Sequence, residues 1–297
     1  MLAGIALARA CHLEKPHADA VTKLVYYLLL PANLFTTAFT SDLNTGGLFF
    51  TVALSCVIVT VTCVISVFAA RKIEQDLKKS AALASILWKG NYTLLGLPVA
   101  AALLSEEGYV IYAMIAVVMS IITNIIIIPQ LTFMLKGGQE GGMKKAIIDV
   151  ITNPATLGAV LGLILRFITP SLPSVIMTPL NGLTSASGVV SMVMIGISIG
   201  VHGLGKNGRL IAVTGVFKLA LFPLLFAAAG YLAGVRGPGL GALILSAAVP
   251  PGINAGVIAG AMGADGPLAN EAVFAVTVLS GISLFILGVV LQSLGWM

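Results

Sequence analysis

Apolar runs of about one bilayer's length alternate with short polar connections along nearly the whole chain. They cover roughly 1–11, 20–40, 47–70, 80–104, 108–135, 147–167, 177–202, 209–233, 239–262 and 268–293. A helix rises ~1.5 Å per residue and the hydrocarbon core of a bilayer is ~30 Å thick, so most of these runs can cross a membrane. The pattern predicts ten helices. The first run has only eight residues before Arg9, where about 20 apolar residues are needed. It is expected to be a truncated first helix, completed by residues upstream of Met1.

Composition agrees with this reading. Of the 297 residues 58% are hydrophobic and only 9% are charged, too little charge to cover a water-soluble surface. Numbering the connections along the chain, the odd ones and the even ones fall on opposite sides of the membrane. The odd connections carry twelve of the sixteen Lys and Arg residues, and the even ones carry only Arg166 and Arg236. Lys89 and Lys218 lie inside runs. This asymmetry obeys the positive-inside rule for ten spans with both termini outside. It also accounts for the net charge of +5 without any nucleic-acid partner.

The glycine-rich connection "KGGQEGGMKK" reads as a cytoplasmic linker over 136–146. It separates a first five-helix repeat (1–135) from a second (147–297). Five is odd, so the second set enters from the opposite face, as in transporters built from inverted repeats. The expected fold is therefore all-α and polytopic, with ten transmembrane helices as two inverted five-helix repeats.

The fourth run of each half is interrupted. One contains Gly90, Gly96 and Pro98, and the other Pro250, Pro251 and Gly252. Proline removes a backbone donor and clashes with the preceding turn. Lipid offers no water to repair the loss, so such a break is tolerated where it is buried in protein or lines a cavity. Paired interruptions at matching positions point to a transport site. Each break has an asparagine nearby, Asn91 and Asn254. An amide can donate to a carboxylate without carrying charge. The expected substrate-binding residues are Gly90, Asn91, Leu97, Pro98, Pro250, Pro251 and Asn254, with Asn33 facing the same cavity from the second run. Ordinary proline kinks and helix–helix hydrogen bonds are the competing explanation.

Lys89 and Lys218 could lend charge to the pathway, although a lysine in Lys218's position is first expected to snorkel to the interface. Asn124 reads as a helix–helix contact and His202 as interfacial. Glu106, Glu107, Asp265 and Glu271 stand near run ends and read as solvated. Cys56 and Cys63 share one run and read as packing residues. No CxxC, HExxH or Walker-type loop occurs, and no run holds a paired acid or a Ser–His arrangement. No enzyme activity, cofactor or metal is therefore expected.

The segments "YYLLLPANLFTTAFTSDL", "KGNYTLLGLPVAAALLSEEG", "NPATLGAVLGLIL" and "AVPPGINAGVIAGAMGAD" occur in that order. Together they resemble the auxin efflux carrier family, which includes plant auxin carriers and bacterial permeases for malonate, malate and similar acids. The resemblance covers nearly the whole chain. It implies a fold like that of the bile acid/sodium symporters, with helices 4 and 9 broken and crossing. It implies a scaffold of helices 1, 2, 6 and 7, a mobile domain of helices 3–5 and 8–10, and a cavity near the crossing. Asn91 and Pro98 match the helix-4 motif, and Pro250 and Pro251 the helix-9 crossover. The long cytoplasmic loop of many plant members is absent, which argues against auxin as substrate. The sodium symporters use an acidic residue in helix 9, and none precedes Asp265 in the ninth run here.

The chain is thus expected to be a plasma-membrane carrier, in a bacterial inner membrane, for a small organic anion, a mono- or dicarboxylate. Its other partner is the lipid bilayer, and homodimerisation is left open. A sodium-coupled symporter, or a membrane sensor or scaffold without transport, are the alternatives. The topology is open to direct test. In a cysteine-free background, a cysteine at Lys78 should label only from the cytoplasm and one at Leu172 only from outside. Labelling of both from one side would rule out the ten-span arrangement.

Overall fold

The structure is a computed structural model and describes residues 1–40, 49–136, 148, 152–169, 171–202, 205 and 207–296. The linker expected at 136–146 lies almost entirely outside the described residues, as does the side chain of His202. Among the described residues the chain is all-helical: α1 (Leu2–Ala10), α2 (Lys15–Leu24), α3 (Leu30–Thr40), α4 (Phe49–Ile73), α5 (Leu77–Trp88), α6 (Gly96–Leu103) and α7 (Glu106–Lys136) come first. Then follow α8 (Pro154–Ile168), α9 (Ser174–His202), α10 (Gly208–Val216), α11 (Phe222–Leu232), α12 (Gly237–Ala248), α13 (Ile253–Ala261) and α14 (Gly266–Ser293). Single π-helical turns, Val25–Leu29 and Phe217–Leu221, join α2 to α3 and α10 to α11.

Five helical stretches among the described residues are long and apolar enough to cross a membrane: Phe49–Ile73, Glu106–Lys136, Ser174–Val201, Gly208–Leu232 and Gly266–Ser293. The other apolar stretches are shorter or interrupted. Side chains account for where the helices start. Asp76 Oδ1 accepts from Lys79 N at 2.9 Å and caps α5. Asn153 Oδ1 accepts from Ala155 N and caps α8, with Pro154 in the first turn where its missing donor costs nothing. Asp265 Oδ1 accepts from Leu268 N and caps α14. Large apolar side chains such as Phe68, Ile282 and Phe285 stand outward on α4 and α14. That surface suits hydrocarbon rather than water.

Two sets of helices pack mainly among themselves. In one, α3 lies along α8 and α1 along α9, with α9 also touching α2 and α3. In the other, α4, α5, α6, α7 and α10–α14 form the larger bundle. The first set is held by glycine seams. A methyl group at Gly158 or Gly162 of α8 would overlap the carbonyl oxygens of Pro31 or Phe35 on α3. One at Gly196 of α9 would overlap Met1 O, and one at Gly4 of α1 would overlap Val193 O. Lipid tails are as apolar as leucine, so membrane helices associate through close backbone approach at small residues.

Two acidic and basic readings are corrected here. Glu271, expected to be solvated, is buried in the second turn of α14; it accepts from Gly205 N and, at 2.9 Å, from Asn207 Nδ2. Lys218 does not snorkel. The π-helical turn carries it inward, where it is 1% exposed. Glu106 and Glu107 are exposed, as expected.

The seams generate a stability prediction. Gly158→Ala and Gly162→Ala should each destabilise the protein by about 1–3 kcal/mol, the range for overpacking a tight contact. Gly182→Ala on α9, with open space around it, should be neutral or slightly stabilising. Thermal unfolding in detergent distinguishes the three.

Candidate functional site

The two interruptions meet. Helix α5 ends at Trp88, and α6 does not begin until Gly96. Helix α12 ends at Ala248, and α13 begins at Ile253. Between them the chains run antiparallel, with Gly90 facing Pro251. Asn91 N donates to Pro250 O at 2.9 Å, and Gly252 N donates to Lys89 O at 3.0 Å. The approach is close enough to require glycine. A Cβ at Gly252 would stand 2.9 Å from Gly90 O, and one at Gly90 would stand 2.9 Å from the Val249 side chain.

Several other backbone groups at the first break also have partners. Lys218 Nζ donates to Trp88 O at 3.1 Å, placing a lysine at the carbonyl end of α5. Gly96 N donates to Asn91 O at 3.0 Å. The Tyr112 hydroxyl donates to Tyr92 O at 3.0 Å. Trp88 is itself fixed, its indole N–H donating to Gln130 Oε1 at 2.9 Å. Part of the unwound backbone is therefore satisfied within the protein.

Beside the bridge lies a cavity of about 430 Å³. The first break lines it from Lys89 to Leu94, and the start of α13 from Gly252 to Asn254. Three more helices close it: α3 with Asn33 and Thr37, α7 with Ser120, Thr123 and Asn124, and α9 with Thr184, Ser185 and Ser187. Of the residues anticipated from sequence, Asn33, Lys89, Gly90, Asn91 and Asn254 share this cavity. Leu97, Pro98, Pro250, Pro251 and Lys218 are not among the described residues that line it. Leu97 and Pro98 stand in the first turn of α6, where Pro98 is exposed and its missing N–H breaks nothing. Pro250 and Pro251 are buried in the bridge itself.

Among the described lining residues none is acidic, and Lys89 supplies the cationic side chain. Lys89 is 3% exposed, and its Nζ donates to Asn124 Oδ1 at 2.9 Å. Asn124 donates in turn to Ser120 O. Asn124 therefore does more than join two helices. Asn91 is 7% exposed, and its Nδ2 has no hydrogen-bond partner among the described residues. A lysine at the centre of a membrane helix costs about 2.5–3.5 kcal/mol on insertion scales, so two such residues beside one break require a reason. The hydroxyl-bearing wall was not anticipated, yet it left a signal. Ser120, Thr123 and Asn124 stand at i, i+3 and i+4 in a largely apolar run, and so share one helix face.

Apolar helices of membrane length, with two stitched helix breaks opening onto a polar cavity among them, mark a membrane transport protein. The chain belongs to the family described as membrane transport protein, the auxin efflux carrier family that its motifs resemble, and the match runs over residues 1–288. It is similar to an uncharacterized transporter of Methanothermobacter thermautotrophicus, 25% identical over 285 residues that span 94% of this chain and 91% of that protein.

The bridge carries its own test. Pro250→Ala together with Pro251→Ala removes the obstacle to one continuous helix, worth up to ~3 kcal/mol per proline in a helix interior. The ladder through 247–256 should close at the expense of the bonds to Lys89 and Asn91. Hydrogen–deuterium exchange of that segment should slow in the folded double variant. Unchanged exchange would mean that packing, not proline, holds the break open.

Proposed function

We propose that this transporter is a secondary carrier for a small organic anion, a mono- or dicarboxylate, bound at the crossing of its two broken helices. One observation carries the reading: the cavity at the bridge combines a buried lysine and an unpartnered asparagine amide with no acidic side chain among its described lining residues. Such a site favours a negatively charged, acceptor-rich occupant. It offers no carboxylate ligand to sodium, which normally coordinates hard oxygen donors, so sodium coupling by an acidic site is not adopted.

In this reading the chain forms ten spans as two inverted repeats, residues 1–135 and 147–297, joined by the linker at 136–146. Both termini face outside, in the plasma membrane of a bacterial cell. The seamed set, α1–α3 with α8 and α9, is the scaffold. The larger bundle carries the bridge and moves against it, so that the cavity faces each side in turn. Asn91 and Asn254 hold the anion from the two breaks, with Asn33 reaching it from the scaffold.

The test is transport and binding by asparagine variants. A hydrogen bond to a charged group is worth ~1.5–3 kcal/mol, or roughly 10- to 150-fold in affinity. Asn91→Ala and Asn254→Ala should each weaken carboxylate binding by that order while thermal stability in detergent changes little. Normal transport by both variants in proteoliposomes would move the site elsewhere.

A further inference from the structure

We propose that Lys89 and Thr123 complete a carboxylate cradle with Asn91, Lys89 being the anion's counter-charge, while Lys218 serves the backbone only; the assignment rests on the carrier reading above. Three donors converge on one cavity. Lys89 Nζ has three N–H groups, and the hydrogen bond to Asn124 uses one. Asn91 Nδ2 is buried and unpartnered among the described residues. So is Thr123 Oγ1, in a residue 1% exposed.

Thr123 departs from its neighbours. Buried hydroxyls in membrane helices commonly bond back to a carbonyl one turn earlier. Thr132 does so on the same helix, donating to Ile128 O at 2.8 Å, and Thr62, Ser66 and Thr214 do so elsewhere. Thr123 has no such bond; the hydroxyls of Thr36, Ser80, Thr156, Ser191 and Thr277 lack a partner too, but of these six residues Thr123 alone is among the described residues that line the cavity with Lys89 and Asn91. A buried polar group without a partner is costly, so an occupant that accepts from Asn91 and Thr123 removes both penalties while answering the charge of Lys89. A carboxylate, with two oxygens and about four lone-pair positions, has the needed acceptors and the compensating charge.

The two lysines then divide their work. Lys218 donates to Trp88 O, lies 6.0 Å from the centroid of the Tyr92 ring, and is not among the described lining residues. It caps α5, and the π-helical turn at Phe217–Leu221 sets its position. Lys89 is the cation that the cavity meets.

The experiment compares two probes on detergent-purified full-length protein by calorimetry and thermal shift: malonate, and its uncharged analogue malonamide. The ratio of their affinities reads the counter-charge directly. Wild type should prefer malonate strongly. Lys89→Met should lower malonate affinity at least about tenfold and collapse the ratio, and Lys89→Arg should restore much of it. Thr123→Val, nearly isosteric, should cost malonate about tenfold with thermal stability retained. Lys218→Met should lower stability without collapsing the ratio. An unchanged ratio in folded Lys89→Met overturns the inference alone. If Lys89→Met does not fold, Thr123→Val decides, and wild-type affinity in it overturns the cradle. A wild type that transports carboxylates yet binds both probes equally also overturns the counter-charge. One that neither binds nor transports any carboxylate overturns it together with the carrier reading.

Discussion

A peptide group in hydrocarbon has no water to turn to, and that constraint governs this molecule. Unwinding a membrane helix frees donors and acceptors that must find partners inside the protein or face a wet space. Here two unwound segments serve each other. The Asn91 amide meets the Pro250 carbonyl, and the Gly252 amide meets the Lys89 carbonyl. Neither break could be satisfied in this way alone. Glycine at 90 and 252 permits the approach, and the prolines keep the second helix from reclaiming its own bonds. The position of Lys89 and Asn91 beside the cavity follows from that exchange.

The rest of the bundle answers the same constraint by other means. Burying apolar side chains gains little in lipid, so cohesion comes from close packing and from polar contacts. The α3–α8 and α1–α9 seams bring backbones together at Gly158, Gly162, Gly4 and Gly196. Serine and threonine hydroxyls along α4 and α7 mostly turn back to carbonyls of their own helix. Eight buried side-chain atoms among the described residues depart from this economy, and two of them, on Asn91 and Thr123, belong to residues that border the cavity.

Much of this was legible in the sequence because membrane insertion writes strong patterns. Apolar runs announced helices, and the double proline and the Gly90-Asn91 pair marked both breaks. Three asparagines and Lys89 indeed share one cavity. The sequence misled where burial depends on a neighbour that is remote along the chain. Lys218 looked able to reach the interface, but a π-helical turn rotates it toward Trp88, and local periodicity carries no trace of that turn. Glu271 looked solvated from its place near a helix start, until the segment around Gly205 and Asn207 covered it. Of the three residues that marked the first interruption, Gly90 stands in the unwound segment and Pro98 in the first turn of α6, because the opposing segment at Pro250–Gly252 offers partners at Lys89 and Asn91. Thr123 was passed over because one hydroxyl in an apolar run is ordinary. Its missing bond together with its place on the cavity sets it apart.

The buried carboxylate of Glu271 has a mechanical consequence. It belongs to α14, and it grips Gly205 and Asn207 in the connection between α9 and α10. Helix α9 packs chiefly with the seamed set and α10 with the larger bundle, so the carboxylate fastens the connection between the two sets. Its far end is riveted to the larger bundle by two hydrogen bonds. Losing that carboxylate would release the connection from α14 and deprive the Asn207 amide, at the threshold of α10, of this partner.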